Sequence, residues 1–415
     1  MKETILGFFR PMSRSGPVDT VLAALVVGLL GFGVVMVFSA STVDATVNYN
    51  DPYHYLRRQA AFALIALVEL YAISRIDYRR WRSVTYLILG FVTLLMIASV
   101  AGLGHSGGGA ARWLRLGPIH IQPSEMAKVS LVLWLGYSLA KKKGMVKSFK
   151  IGMLPHLVMA GFLMLLCLRQ PDFGGAVVLL FLTFTLLFVA GARLGYLLLV
   201  AAAGFAAAAW LVRSADYRWE RMLAWRNMAE HRQDLAYQPF QSIMSFGSGE
   251  VTGLGLGKGF QVLYLPEAHT DFIAAIVGEE LGFIGIVVLC AAYLVLVARG
   301  VRIALHATDE YGSYVAFGIS TLFGVQALIN LAVAMAMLPT KGLTLPFVSY
   351  GGSSLLVNAA AMGILLNISR SRQAQRNVRV ATSSEVESSV VVASGSSFGS
   401  QRRPARSDDD VAALT

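Results

Sequence analysis

The chain has 415 residues, 56% of them hydrophobic and only 14% charged, and its mean hydropathy is +0.61. Soluble domains sit near half apolar and a quarter charged, so this composition excludes an ordinary soluble enzyme, and the net charge of +11 is not read as a nucleic-acid surface. Cys167 and Cys290 each lie inside an apolar run, which argues against a disulfide framework.

Apolar runs long enough to cross hydrocarbon fall at 20–41, 59–74, 84–103, 125–140, 151–168, 174–191, 194–212, 272–298, 311–338 and 345–368. They make ten, the fourth being among the shortest, so the expected fold is an all-α integral membrane protein with about ten transmembrane helices. The basic flank before the first run leads to no cleavage-like end, so that run is read as a retained span.

The Lys/Arg bias sets the orientation. Arg75, Arg79, Arg80, Arg82, the cluster Lys141–Lys150, Arg193, Arg299, Arg302 and Arg370–Arg379 all fall on the side of the N-terminus. Both termini are therefore expected in the cytoplasm, with a large extracytoplasmic loop, 214–271, between spans seven and eight. Residues 1–19 form a cytoplasmic N-terminal segment and 20–370 the membrane domain. Residues 371–415, Ser-rich and poor in large apolar side chains, read as a disordered cytoplasmic tail.

Several constellations fall on the outer side. The stretch Arg112–Lys128 follows a Gly-rich run, and Pro123-Ser124-Glu125 reads as a helix start with an acid facing the positive helix end. Glu125 and Lys128, three apart, share a helical face. A structural ion pair and a substrate contact are both open to them. Arg169, in the turn Arg169–Gly175, is either a snorkelling arginine or a holder of anions. In the long loop, Trp219, Met222, Leu223 and Arg226 have helical spacing beside a basic face, which suits an interfacial helix. Gly253-Leu254-Gly255-Leu256-Gly257-Lys258-Gly259 follows no buried strand and reads as a flexible hinge, not a nucleotide fingerprint.

Leu265-Pro266-Glu267-Ala268-His269-Thr270-Asp271-Phe272 crowds two carboxylates and an imidazole at the mouth of the eighth span. Carboxylates are costly beside hydrocarbon, so an acid there is a candidate for chemistry, although Thr270 or Asp271 can equally cap the helix that follows. Glu279 and Glu280, deeper in the span, and Glu69 in span two read as polar glue or parts of a conduit. Residues Leu338–Ser354 place two prolines, glycines and hydroxyls at membrane depth. Irregular backbone is tolerated there only when buried in protein or lining a cavity, so this segment is expected to fold over a cavity open to the outside.

Gln122-Pro123-Ser124-Glu125 with Lys128, Tyr237-Gln238 with Gln241-Ser242, Leu265–Phe272, Gly278-Glu279-Glu280-Leu281-Gly282 and Pro346–Ser354 together resemble the SEDS family (shape, elongation, division and sporulation) of bacterial peptidoglycan glycosyltransferases. The resemblance covers residues 20–370. Within the family, Leu338-Pro339-Thr340-Lys341-Gly342-Leu343-Thr344-Leu345-Pro346 is more similar to the division member than to the elongation member. The resemblance implies polymerisation of lipid II at the outer membrane face, with Asp271 as the base. The acceptor's 4-hydroxyl attacks the donor's anomeric carbon, and undecaprenyl diphosphate leaves. A hydroxyl is a weak nucleophile at neutral pH, so a carboxylate must take its proton. The departing diphosphate needs nearby cations, for which Arg218, Arg221, Lys341 and Arg169 are the candidates, aided by a divalent cation (Mg or Mn) and no organic cofactor. Glu125 and Lys128 are implied to be functionally sensitive, Glu267, His269 and Ser349 to contact substrate or support the base. The implied partners are a single-span class B penicillin-binding protein and other division membrane proteins, at the septum of the inner membrane. Two rival readings remain at this point, a lipid II flippase using Glu69, Glu279 and Glu280, and a scaffold without chemistry. Transport sites tend to lie near the bilayer midplane, and the acid cluster does not.

Overall fold

A computed structural model describes residues 16–371 apart from 108, 109, 117, 118, 215 and 341. Residues 1–15 of the N-terminal segment and nearly all of the expected tail, from 372 on, therefore lie outside the described residues, as does Lys341. The chain winds through α1 (Thr20–Tyr49), α2 (His54–Arg75), α3 (Trp81–Ala98) and three short strands, β1 (His105–Gly107), β2 (Ala110–Leu116) and β3 (Ile119–Ile121). It continues through α4 (Pro123–Lys141), α5 (Leu154–Arg169), α6 (Phe173–Val189), α7 (Leu194–Arg213), α8 (Asp216–Arg226), α9 (Tyr237–Gly249), α10 (Ile273–Leu305) and α11 (Glu310–Ala334). A last helix, α12, covers Gly352–Ser371.

Among the described residues seven helices are both long and apolar enough to cross a membrane. The protein is therefore a multi-pass helical membrane protein. Helices α2, α4 and α6 occupy the other three expected runs without meeting both conditions. For α4 the reason is its place in the bundle. It is buried on nearly every side, packed against α3, α6 and α11, so it need not be apolar throughout to avoid lipid. Its Val129, Val132 and Leu133 belong to one apolar core with α1, α2, α10, α11 and α12. Its Ala127, Leu131 and Leu135 belong to a second core with α3, α5, α6 and α7. Helix α7 is the opposite case, with Phe205 and Trp210 turned outward.

The sequence expectation of an all-helical chain needs one correction. The three short strands form an antiparallel sheet in the order β1-β2-β3, with Leu114 opposite Ile121 and Arg115 opposite His120. The alternation in Arg112-Trp113-Leu114-Arg115-Leu116 is strand periodicity: Leu114 is buried while Arg115 is exposed.

Charges at the end of the bundle away from the 214–271 segment are held by specific partners. Asp19 caps α1 by accepting from the Leu22 amide and pairs with Arg299 at 2.8 Å. Asp309 accepts from the Gly312 amide at the start of α11 and pairs with Arg79 at 3.0 Å.

Helix α10 is broken at Gly282 (φ 64°, ψ −163°). A break frees backbone groups, which in an apolar setting must be satisfied elsewhere. The glycine loop does this. The amides of Leu254 and Gly255 donate to the carbonyls of Glu279 and Glu280, while those of Phe283 and Ile284 donate to Glu250 and Val251. The carboxylate of Glu279 accepts from the amides of Phe260 and Gln261, and that of Glu280 from the Ser39 hydroxyl at 2.6 Å. Residues 253–259 are thus a fixed, hydrogen-bonded loop, not the expected hinge. Glu279 and Glu280 act as polar glue.

This packing separates two glycines that look alike in the sequence. A Cβ on Gly253 (φ 80°) would lie 2.2 Å from the Glu280 carbonyl oxygen, whereas one on Gly257 (φ 73°) would meet nothing within 4 Å. Both alanine variants bear a left-handed penalty of about 1–2 kcal/mol, and only Gly253→Ala must also displace the α10 break. Thermal unfolding in detergent should show a clearly larger loss for Gly253→Ala than for Gly257→Ala.

Candidate active site

The turn that precedes α10 is wound on one carbonyl. The amides of Thr270, Asp271 and Phe272 all lie within 3.3 Å of the Glu267 carbonyl oxygen, and Glu267 itself is left-handed (φ 58°). The Thr270 hydroxyl reaches the Glu267 carboxylate at 2.7 Å. The expected helix cap is not formed. Phe272 occupies the cap position of α10 and no side chain caps it. That leaves the Asp271 carboxylate outside the helix's own hydrogen bonding.

The segment between α11 and α12 closes over this turn. Asn330 donates its side-chain amide to the carbonyls of Asp271 (2.9 Å) and Leu343 (2.6 Å), tying the two segments together. Trp225 of α8 donates to Ala336, and Tyr293 of α10 to Pro346. The irregular 338–354 backbone therefore covers a cavity, as its composition implies.

That cavity has a volume of about 580 Å³. Asp271, Glu267 and Thr270 line it from the turn, Arg112 from β2, Gln122 from the start of α4, and Arg221 and Met222 from α8. Gly342, Thr344, Tyr350 and Ser354 complete the wall from the covering segment. Two side chains of helix α8, expected only to lie at an interface, thus face this space.

Arg112 is the main residue that sequence reasoning passed over. Its guanidinium is anchored by the carbonyls of Gln170 (Nε, 3.0 Å) and Pro171 (Nη2, 2.5 Å). Its remaining nitrogen borders the same small space as Asp271. A Cβ built on Gly342 would be 3.6 Å from Arg112 Nη1 and 3.0 Å from Asp271 Oδ2. Its only sequence signal was strand periodicity, which would have turned Arg112 to the same side as Leu114.

Burial in this wall pushes the Asp271 carboxyl up to about 7, with Glu267 and Asp172 adding to the rise and Arg112 opposing it. Desolvation disfavours the charged form of an acid, and nearby negative charge does the same. A carboxyl titrating near neutrality is suited to accept a proton. His269 moves the other way, its imidazole held below the usual range by burial, so it is neutral at neutral pH.

The remaining sequence candidates divide. Glu125 and Lys128 form a buried ion pair at 2.6 Å, with Gln326 at 3.5 Å from the second carboxylate oxygen, and neither lines the cavity. Ser349 is buried and accepts from the Leu345 amide, which makes it a brace of the covering segment. Arg169 is exposed and does not reach the lining. His269 lies beside the cavity, not in its wall. Arg218 lies on α8, but its side chain is outside the described residues, and so is Lys341. Among the described residues no cluster of three or more His, Cys, Asp and Glu forms a cation cage. A magnesium-type ion needs only one or two protein carboxylates when phosphate oxygens supply the rest, so such a cage is not a requirement for one carried by a diphosphate.

The fold and the cavity together define a polytopic membrane protein with an acid of near-neutral titration facing guanidinium groups in a shared space. The comparisons with known proteins agree with this class. The family model described as "Cell cycle protein", which covers FtsW, RodA and SpoVE, matches residues 20–374, and the chain belongs to that family. The "Probable peptidoglycan glycosyltransferase FtsW" of Geobacter sulfurreducens is 46% identical over 353 residues, covering 85% of this chain and 95% of that protein. "Stage V sporulation protein E" of Bacillus subtilis is 39% identical over 356 residues, 85% of this chain and 97% of that one. A solved structure described as "Structural coordination of polymerization and crosslinking by a peptidoglycan synthase complex" superposes with a TM-score of 0.71 at 30% identity, covering 86% of this chain and 98% of that one. The rod shape determining protein RodA of Thermus thermophilus gives a TM-score of 0.65 at 30% identity, with 86% and 97% covered.

The buried pair gives a test of what Glu125 and Lys128 do. Removing one partner leaves an uncompensated buried charge, at a cost of about 3–5 kcal/mol, whereas replacing both by neutral side chains is often close to neutral. Lys128→Met should lower the melting temperature in detergent strongly, and Glu125→Gln combined with it should restore most of the loss. If the double variant melts like the native protein yet lacks activity, the pair has a role beyond packing.

Proposed function

We propose that this chain is a peptidoglycan glycosyltransferase that polymerises lipid II into β-1,4 glycan strands at the outer face of the cytoplasmic membrane during division. The observation that carries the reading is Asp271, a carboxyl raised to about 7 in the wall of a cavity that Arg112 and Arg221 also line. Family membership and the FtsW-named relatives support the same activity.

In this reading the acceptor's 4-hydroxyl lies against Asp271, which takes its proton as the oxygen attacks the donor's anomeric carbon. Attack opposite the α-linked diphosphate inverts that carbon and gives the β linkage. Charge gathers on the departing undecaprenyl diphosphate, and the anchored guanidinium of Arg112, with that of Arg221 on the same cavity wall, stabilises it. Arg218 and Lys341 belong to the same basic set by sequence. A divalent cation, Mg or Mn, carried by the diphosphate oxygens, would supply further charge neutralisation. Glu267 also raises Asp271 and hydrogen-bonds Thr270, so it tunes and braces the base.

The proposed membrane arrangement has ten spans with both termini in the cytoplasm, and the 214–271 loop and cavity outside. The Lys/Arg distribution supports it. A class B penicillin-binding protein is the proposed partner, supported by the likeness to a chain from a complex described as coordinating polymerization and crosslinking. Other division membrane proteins and the septum complete the proposed setting. A lipid II flippase is less well supported, because Glu279 and Glu280 are engaged in holding the 250–261 backbone.

Two measurements test the chemistry. Asp271→Asn, reconstituted with its penicillin-binding partner, should insert and bind the partner normally while losing lipid II polymerisation by at least about 10²-fold. Full polymerisation by that variant overturns the assignment of the base. Because the working form is the carboxylate, the native rate should rise with pH through about 7 and level off above it. Glu267→Gln removes a like charge beside Asp271, lets it ionise more readily, and should move that acid limb to lower pH.

A further inference from the structure

Beside the cavity, the rings of Tyr55, His269 and Tyr350 meet from distant parts of the chain. The Tyr55 ring at the start of α2 lies 4.6 Å from the imidazole, and the Tyr350 ring lies 5.5 Å from it. Tyr55 and Tyr350 pack edge-on against each other at 5.1 Å. The Tyr350 amide also donates to the His269 carbonyl at 2.9 Å, so this residue is held by both its backbone and its ring. Tyr55 is itself oriented, because its hydroxyl donates to Asp44 Oδ2 at 2.8 Å while Asn48 donates to the other carboxylate oxygen. The corner between α1 and α2 is stiffened further by Tyr49 stacked on His54 at 3.8 Å.

Tyr55 does not line the cavity. Accepting the polymerase reading above, we propose that Tyr55 is a positioning residue for it. With Tyr350, its ring grips the His269 imidazole and so fixes where the Asp271 carboxylate points.

His269 is two residues from Asp271, in a turn whose following three amides all converge on Glu267. A displacement at His269 is therefore passed to Asp271 instead of being absorbed. The imidazole is neutral by burial, with Glu267 and Asp44 pulling against that, so the grip is ring packing and not an ion pair. Displacing the turn would change how Asp271 faces its charged neighbours, which are Glu267 on the turn, Arg112 on β2 and Asp172 at the start of α6. Both the rate and the acid limb should respond. The alternative for Tyr55 is simple support of the α1–α2 corner, which would touch stability alone.

The experiment compares the full-length chain in complex with its penicillin-binding partner as native protein, Asp271→Asn, Tyr55→Ala and Tyr55→Phe, in lipid II polymerisation across pH. Tyr55→Ala should lower kcat by roughly ten- to hundred-fold, since a misplacement of about 1 Å can cost about 10²-fold. It should change KM for lipid II much less and displace the acid limb. Tyr55→Phe keeps the ring and should retain most of kcat. If Tyr55→Ala is not recovered as a folded complex, Tyr55→Leu, which keeps bulk without a flat ring, carries the same expectation. Native kcat and an unmoved limb in the ring-less variant, alongside an inactive Asp271→Asn, would overturn the proposal and leave the polymerase reading intact. Equal impairment of Tyr55→Phe and Tyr55→Ala would overturn it too. Full activity of Asp271→Asn would remove the catalytic reading and this inference together.

Discussion

In hydrocarbon a backbone group without a hydrogen bond costs several kcal/mol, so any break in a spanning helix must be answered by other parts of the protein. Helix α10 breaks at Gly282, and the answer comes from residues 250–261, whose backbone pairs with the helix on both sides of the break. That pairing brings the long loop back against the helix that follows it and fixes the path from α9 to the Glu267–Phe272 turn. Glu279 and Glu280 serve the same end by taking up amides and a hydroxyl that would otherwise lack partners. Acids that look like a conduit in the sequence thus maintain the geometry from which the site hangs.

A second exception to regular helix closes over the Glu267–Phe272 turn. Residues between α11 and α12 abandon helical bonding, and Asn330, Trp225, Tyr293 and Ser349 supply the missing contacts. The cavity lies where this irregular segment closes over the Glu267–Phe272 turn. Helix α4 makes this possible from the centre. Buried on nearly all sides, it joins the two apolar cores and can carry Glu125 and Lys128 without exposing them to lipid.

Much of the fold was legible because spanning hydrocarbon leaves long apolar runs, and helices lie at all ten of them. What escaped notice were features with short or shared signatures. The β2 strand alternates over only a few residues inside what reads as a Gly-rich loop, so Arg112 could not be turned toward the cavity from sequence. The spacing of Gly253, Gly255 and Gly257 is the same whether a loop is loose or pinned, and only the carbonyls of Glu279 and Glu280 distinguish the cases. At the site, Asp271 and Glu267 were legible as costly charges beside a span. Ser349 and His269 were legible as polar residues in motifs, but not that the Ser349 hydroxyl would brace the Leu345 amide or that His269 would meet a ring from the distant start of α2. Tyr55 has no local signal at all, since its meaning arises only where α2 meets the turn before α10.

The position of Asp271 also explains why capping and catalysis do not coexist in one side chain. A capping carboxylate is engaged by amides, which favour its charged form and pull its titration down. Here the amides of the turn go to the Glu267 carbonyl instead, and Phe272 takes the cap position. The Asp271 carboxyl is left to burial and to Glu267, which together raise it toward neutrality. The turn therefore achieves two things that a regular helix start would oppose. It fixes the direction of the acid through its backbone, and it keeps the amides away from the oxygen that must hold the proton.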